Sequence, residues 1–400
     1  MRSSTPSAGS ANHEHARVGS RSFSVYCHVP FCAVRCGYCD FTTYTNAELG
    51  PGASRATYAD TAIQEIHQAQ RVTGERSVST VFFGGGTPTL LPVTDLARML
   101  NAINSTWPLE PNAEVTTEAN PDSVTQQDLH HLADAGFTRI SLGMQSAVPH
   151  VLTTLDRTHN PARLPDVVSH AQRAGLQVSV DLIYGTPGES LEDWRTSVEA
   201  ALNLGVDHIS AYALTVEPHT PMGRRIARGL IAAPNEDDQA AKYELADDLF
   251  TQVGLTWYEI SNWARGGISG PHACRHNLAY WRNQDWWGIG PGAHSHLDNE
   301  RFWNVKHPRP YAEALRHGRL PMDGRETLTA EDRELEAVML GIRLSCGLPI
   351  VELSAAAQRA IPTLIAQELI DPRAAIKDQR LILTRQGRLL ADTVTRTLVG

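Results

Sequence analysis

The sequence lacks most of the features that mark a specialised environment. Six cysteines in 400 residues are too sparse to staple a fold of this length, which excludes a disulfide scaffold. There is no basic surplus. The formal charge of -9 argues against nucleic-acid partners, whose phosphates require a basic surface. No run reaches the roughly 18 apolar residues of a membrane span. Residues 1–22 are polar, without the apolar core of a secretory signal, and read as a disordered leader. The expected location is therefore the cytoplasm. What is present, 42% hydrophobic and 20% charged residues, is an ordinary globular composition. The length suits one large domain with one or two accessories.

From Ser24 onward, short apolar runs alternate with helical patterns. Strands are predicted at 24–29, 79–83, 114–118, 139–142, 177–183 and 208–213. Helices are predicted at 58–72, 94–103, 125–135, 165–174 and 191–204, where apolar residues recur at three- and four-residue spacing. Gly136, Gly175 and Gly205 stand where helix C-caps are expected. Six such repeats predict an α/β fold with a parallel sheet, doubly wound or curled into a barrel. The alternation fades after about Pro218. A helix is expected over 234–253, followed by a stretch rich in Trp, Gly and His over 257–296. From about Thr327, helices at 331–343, 351–360 and 362–368, a strand at 381–384 and a last helix at 385–394 suggest a small winged-helix-like α+β unit. It has no basic recognition helix and reads as structural. The expected organisation is a leader (1–22), a barrel (23–220), a barrel extension (221–325) and a C-terminal domain (326–400).

Four of the six cysteines crowd into one stretch, Cys27, Cys32, Cys36 and Cys39, while Cys274 and Cys346 lie far away. Cys32, Cys36 and Cys39 form C-x3-C-x2-C directly after the first strand. Three thiolates on one loop suit a [4Fe–4S] cube with one iron left open. An open coordination position accepts a small molecule. Taken alone, the three thiols also fit a structural zinc site or plain burial. Cys27 is expected to pack in the strand, and Cys346 to be structural. Gly84, Gly85 and Gly86, followed by Thr87 and Pro88, end the second apolar strand. Glycines there admit close approach of a ligand, or simply make a tight turn. Glu118, Gln145, Arg157 and Asp181 stand near strand ends, where a barrel builds its site. Asp181 interrupts an apolar strand and so requires a partner or a cavity. Caps and surface charges account for most isolated residues of this kind.

C-x3-C-x2-C with an aromatic before its last cysteine resembles the radical S-adenosylmethionine (SAM) superfamily. The resemblance implies a partial (β/α)6 barrel whose cluster is held by Cys32, Cys36 and Cys39. SAM chelates the fourth iron, and an electron from the cluster cleaves its sulfonium to give a 5′-deoxyadenosyl radical. The segments around the strand ends resemble, more narrowly, the oxygen-independent coproporphyrinogen oxidases and their relatives, from about Ser24 to the C-terminus. That likeness implies a SAM pocket lined by Tyr26, Gly85, Gly86, Thr87, Glu118, Gln145, Arg157 and Asp181. The porphyrinogen-decarboxylating branch carries a further cysteine two residues after the third, and here Phe41 stands in its place. His276-Asn-Leu-Ala-Tyr-Trp281 resembles a signature of the haem-chaperone branch. Thr215–Glu217, Tyr258–Trp263 and Gly288–Ser295 agree.

The expected function is therefore haem binding and delivery to acceptor haemoproteins, respiratory ones among them. The alternative is radical decarboxylation of coproporphyrinogen III. His276, with Asn277 and Tyr280, is the expected haem site; Cys274, His294 and His296 rank below it. Trp257, Trp263, Tyr280, Trp281, Trp286 and Trp287 are expected either to wall the macrocycle or, for most of them, to pack the seam to the C-terminal domain. A cluster-dependent homodimer fits the family, and any membrane contact would be peripheral.

Overall fold

The computed structural model describes residues 21–49 and 54–400. The expected leader thus lies outside the described residues, except for Arg21 and Ser22. Twelve strands form one sheet: β1 (Phe23–Val29), β2 (Val78–Gly85), β3 (Leu109–Ala119), β4 (Arg139–Gln145), β5 (Gln177–Tyr184), β6 (His208–Ala213), β7 (Leu255–Glu259), β8 (Asn262–Arg265), β9 (Asp285–Ile289), β10 (His294–Leu297), β11 (Glu300–Asn304) and β12 (Met322–Thr327). Its order is β12-β11-β10-β9-β1-β2-β3-β4-β5-β6-β8-β7. All six predicted strands are present, parallel and adjacent in sequence order. The sheet ends in β12 on one side and β7 on the other, so the barrel is partial.

Two faces with different chemistry explain this half barrel. Val25, Val81, Val115, Ile140, Val180 and Ile209 are fully buried against the outer helices, which contribute Ile66, Leu96, Leu129, Val168 and Trp194 to the same core. Helices cover that face of the parallel strands, so its residues are apolar. The alternate residues Tyr26, Phe82, Thr116, Ser141, Asp181 and Ser210 face a central cavity instead. One strand period therefore builds the core, and the other builds the site.

The stretch over 257–296, for which the sequence predicts no regular elements, extends the sheet at both edges. β8 pairs antiparallel with β6, and β9 runs parallel to β1. These strands are only four or five residues long and broken by Gly and Trp, which hides their period. The C-terminal unit has its own core around Val338, Ile342, Leu364, Ile370, Leu381 and Val394. Two helices predicted at 351–360 and 362–368 are in fact one, Ala355–Ala366, with Pro362 inside it. Burial of Ile361 and Leu364 on either side of the proline offsets its roughly 3 kcal/mol helix cost. The strand expected at 381–384 shortens to Arg380–Leu381, and the last helix divides into Arg385–Leu389 and Ala391–Val399.

The contact between barrel and C-terminal unit is charged. Arg388 donates two hydrogen bonds to the buried Asp247 carboxylate, at 2.9 and 2.7 Å, and Trp263 donates a third at 2.9 Å. Burial pushes the Asp247 carboxyl up, but the Arg388 hydrogen bonds outweigh it and hold the group below its ordinary range. The Arg388 guanidinium also lies 4.7 Å from the Trp257 ring centre. Removing Asp247 would strand the Arg388 guanidinium in the interior, which makes this pair more costly to break from that side than a surface bridge, whereas Asp247 also holds Arg385 at 2.9 Å. Among the described residues, no helix is long and apolar enough to cross a membrane.

Candidate functional site

A cavity of about 670 Å3 runs inside the half barrel. Cys32, Cys36 and Cys39 line it, as do Tyr26, Gly85, Gly86, Thr87, Glu118, Gln145, Arg157 and Asp181. His276, Asn277 and Tyr280 line it too. The expected cluster ligands, SAM-pocket residues and first-ranked haem residues thus meet in one space.

The cysteine loop leaves β1 and is pinned at both ends. Phe31 is buried edge-on to Tyr58, with ring centres 5.3 Å apart. The Cys32 amide donates to the Tyr44 carbonyl (3.1 Å), and the Tyr44 amide returns to the Pro30 carbonyl (2.7 Å). The loop is tied to β2 where the Thr87 amide donates to the Phe31 carbonyl (2.7 Å) and the Gly86 amide to Val29 (2.9 Å). Arg157 faces the Cys36 sulfur from Nη1 at 3.6 Å, while its Nη2 donates to the Gly143 carbonyl at 3.1 Å. Burial pushes the Cys32 thiol up to about 11 and the Cys39 thiol in the same direction, so these protons leave when a metal binds. Three soft sulfur donors on one loop, facing a cavity and a guanidinium, fit an iron–sulfur cluster. Cys27 packs fully buried in the core of β1 as expected, and Cys346 is half-buried beside Leu344.

The glycine segment is a cradle rather than a free turn. A Cβ on Gly86 would stand 2.4 Å from the Phe31 carbonyl oxygen, and one on Gly85 (φ +109) would enter the His28 ring. Tyr26 lies 3.1 Å from His28 Nδ1, and His28 Nε2 lies 2.8 Å from the Thr42 carbonyl. Since a carbonyl only accepts, Nε2 carries the proton and Nδ1 accepts from the Tyr26 hydroxyl. Gln145 has a left-handed backbone (φ 62), unusual for a side-chain-bearing residue and typical of functional sites. Asp181 receives the Ser141 hydroxyl at 3.0 Å.

Glu118 accepts from the Gly85 amide at 3.1 Å. Burial, followed by the neighbouring Asp181 charge, pushes the Glu118 carboxyl up to about 8. The folded state therefore holds this proton from roughly the ordinary carboxyl range up to pH 8, where the unfolded chain has released it. Stability drains as pH rises through that window. Glu118→Gln, which keeps the acceptor and removes the titration, is expected to flatten that fall by on the order of a few kcal/mol. Denaturation midpoints of both proteins between pH 5 and 9 check it, and parallel curves would contradict it.

His276 opens the helix Arg275–Trp281, whose N-terminus is fixed by Glu114. The Glu114 carboxylate accepts from the Arg275 and His276 amides at 3.1 and 2.9 Å and from the Cys274 thiol at 3.5 Å. The His276 ring stacks on Phe82, with centres 5.1 Å apart, and is 1% exposed. Thr80 donates to Ser24 (2.8 Å) and stands 2.7 Å from His276 Nδ1. That arrangement gives Nδ1 the proton and leaves Nε2 as the acceptor for the Tyr280 hydroxyl at 3.1 Å. Burial lowers the imidazole pKa to about 3, so the ring is neutral. Asn277 donates to Glu259 at 3.2 Å. Of the six aromatics expected as walls, Tyr280 alone lines the cavity. Trp263 and Trp287 are core residues, Trp257 packs at the C-terminal seam, Trp281 packs with Tyr258 and Leu278, and Trp286 stands behind Tyr280, edge-on at 4.8 Å. His294 and His296 sit outside the cavity lining, against Trp303 and Trp286.

Sequence reasoning missed Tyr38, Phe82, Thr116, Arg139, Ser141, Ser210, Tyr212 and Asn262, all of which line the same cavity. A signal existed: a small or charged polar residue at every second position of otherwise apolar strands. Phe41 also stands at the cavity, 61% exposed.

The radical SAM superfamily model matches residues 26–201. A solved structure titled as coproporphyrinogen III oxidase (HemN) from Escherichia coli superposes with a TM-score of 0.81 at 22% identity, covering 96% of this chain and 91% of that one. The shared fold includes the C-terminal part. A Mycobacterium tuberculosis protein named heme chaperone HemW is 47% identical over 96% of this chain and 97% of its own length. The HemW of Bacillus subtilis is 30% identical over 94% and 99%. A Bos taurus protein named radical S-adenosyl methionine domain-containing protein 1, mitochondrial, is 30% identical over 94% and 83%. A cysteine loop, a glycine cradle and a buried His–Tyr pair around one cavity, together with likeness along nearly the whole length, establish that this chain belongs to the HemW family of radical SAM proteins.

Proposed function

We propose that this protein binds haem and delivers it to acceptor haemoproteins, respiratory ones among them. The observation that carries this reading is the 47% identity over 96% of the chain with a protein named as a heme chaperone. Phe41 supports it, because an exposed apolar ring stands where the decarboxylating branch has a cysteine.

In this reading Cys32, Cys36 and Cys39 hold a [4Fe–4S] cluster. Tyr26, Gly85, Gly86, Thr87, Glu118, Gln145, Arg157 and Asp181 surround SAM. Once bound, the cluster and SAM supply one-electron chemistry at a sulfonium. The chain's own part is orientation: the glycine segment lets a ligand approach the backbone, and Arg157 holds positive charge beside Cys36. Haem takes His276 as its ligand, with Asn277 and Tyr280 around it. The Nδ1 proton held by Thr80 fixes the tautomer that leaves the Nε2 lone pair for iron. Because the imidazole is already neutral, no deprotonation is required, and the Tyr280 hydroxyl need only swing away. The protein works in the cytoplasm, where free thiols persist, with peripheral membrane contact at most and a cluster-dependent dimer as its assembly. Residues 23–220 serve as the barrel, 221–325 as its extension and 326–400 as the C-terminal domain.

The test is haem titration of cluster-reconstituted protein alongside anaerobic incubation with SAM, reductant and coproporphyrinogen III. Wild type is expected to bind haem and leave the porphyrinogen unchanged. His276→Ala should weaken haem binding by roughly tenfold or more, whereas Tyr280→Phe should bind at least as well as wild type. Sustained turnover of coproporphyrinogen III would replace the chaperone reading with the oxidase one.

A further inference from the structure

The SAM pocket and the His276 pair leave two buried donors at the cavity floor unused. Thr116 on β3 and Arg139 on β4 are direct partners in the sheet register. Both line the cavity, and they are 0% and 2% exposed. Arg139 Nη1 donates to the His272 carbonyl at 2.8 Å, with a longer approach to Gln177 at 3.5 Å. Its Nη2 meets no acceptor, nor does the Thr116 hydroxyl meet a partner. Among the described residues, the Arg139 guanidinium has no carboxylate at ion-pair distance. Of the acids on this face, Asp181 is engaged by the Ser141 hydroxyl at 3.0 and 3.1 Å, and Glu114 by the Arg275 and His276 amides at 3.1 and 2.9 Å.

A guanidinium cannot shed its proton, so burying it without an anion is costly. Its fork and an adjacent hydroxyl suit the two oxygens of a carboxylate. We infer that Arg139 and Thr116 form a carboxylate-binding site on the cavity floor, which receives a propionate of the tetrapyrrole. The inference rests on the reading of haem as cargo. Arg139 also borders a smaller cavity of about 220 Å3, shared with His208 and His272, which offers a free anion a second way in. Thr116 borders the larger cavity and not the smaller one, which favours the cargo as source.

The experiment compares haem with haem dimethyl ester, whose propionates are masked, in full-length reconstituted protein followed by Soret titration. Wild type is expected to bind haem about tenfold more tightly than the ester. Arg139→Gln and the near-isosteric Thr116→Val should bring haem down to the ester's affinity and leave the ester unchanged. Thr116→Val keeps the test available should Arg139→Gln fail to fold. Equal affinity of wild type for haem and ester, or equal weakening of both ligands by the variants, would overturn the site. If wild type binds neither ligand, the cargo reading fails, and acetate decides the site. Acetate raising the melting temperature of wild type but not of Thr116→Val would support a free-anion site, and no difference would overturn it.

Discussion

Single replacement of Cys32, Cys36 or Cys39 by serine is expected to remove the cluster's visible absorbance and nearly all bound iron. In the proposed assignment each thiolate of the loop serves its own iron, and with three protein ligands the loss of one cannot be covered by the others. Serine keeps the size but not the soft donor, so the loop can persist while the cluster does not. Two of the three remaining cysteines, Cys27 and Cys346, provide the control. Cys27 is buried in β1 among core residues, and Cys346 sits half-buried beside Leu344, away from the cavity lining. Their serine variants should reconstitute a full cluster, with Cys27→Ser losing stability by roughly 1–3 kcal/mol from a buried hydroxyl. Iron and sulfide content with the visible spectrum checks both sets. A full cluster in any one of the three loop variants would contradict the assignment.

Gly86→Ala is expected to lower SAM affinity by roughly 100-fold, the order that misplacement by about an ångström can cost. The added methyl would stand 2.4 Å from the Phe31 carbonyl oxygen, 2.8 Å from its carbon and 3.0 Å from its nitrogen. All three are backbone atoms, and that carbonyl is already engaged by the Thr87 amide at 2.7 Å. The strain therefore shifts the start of the cysteine loop against β2, which disturbs cradle and cluster together. Gly37→Ala is the contrast within the same loop. Its methyl meets the exposed Asp156 carboxylate, a flexible group that can move away, so the effect should stay within a few-fold. Equilibrium binding of SAM to the reconstituted variants decides the matter. Similar affinities for Gly86→Ala and wild type would show that the glycine is a turn and not a cradle.

The barrel and the cluster loop were legible because they rest on local signals. Six strand periods alternate with five helical ones, and three cysteines fall within eight residues. The edge strands β7–β10 were not, because they are only four or five residues long, β7 to β9 carry Trp or Gly in place of alternation, and β8 and β9 join the sheet through β6 and β1, far away in the chain. Pro362 misled for a related reason: its local cost argues for a break, and the buried Ile361 and Leu364 override it. Within the site, motif residues were readable and their neighbours were not. Ser141 and Arg139 belong to no motif; their role comes from facing the cavity on the same side of β4 as Gly143 and Gln145. His276 lines the cavity, but sequence cannot show that both its nitrogens are engaged, by Thr80 and Tyr280. Nor can it show that Trp263 and Trp287 belong to the core, since a tryptophan suits a core and a cofactor wall equally well.

Delivery of haem is tested by transfer. Cluster-reconstituted protein loaded with haem is mixed with an excess of an apo-haemoprotein, the two are separated, and the Soret spectrum of each is recorded over time. Haem is expected to leave this protein and appear in the acceptor faster than it does from free haem with an inert carrier at the same concentration. Haem that stays bound, or that reaches the acceptor no faster than from the carrier, would contradict it.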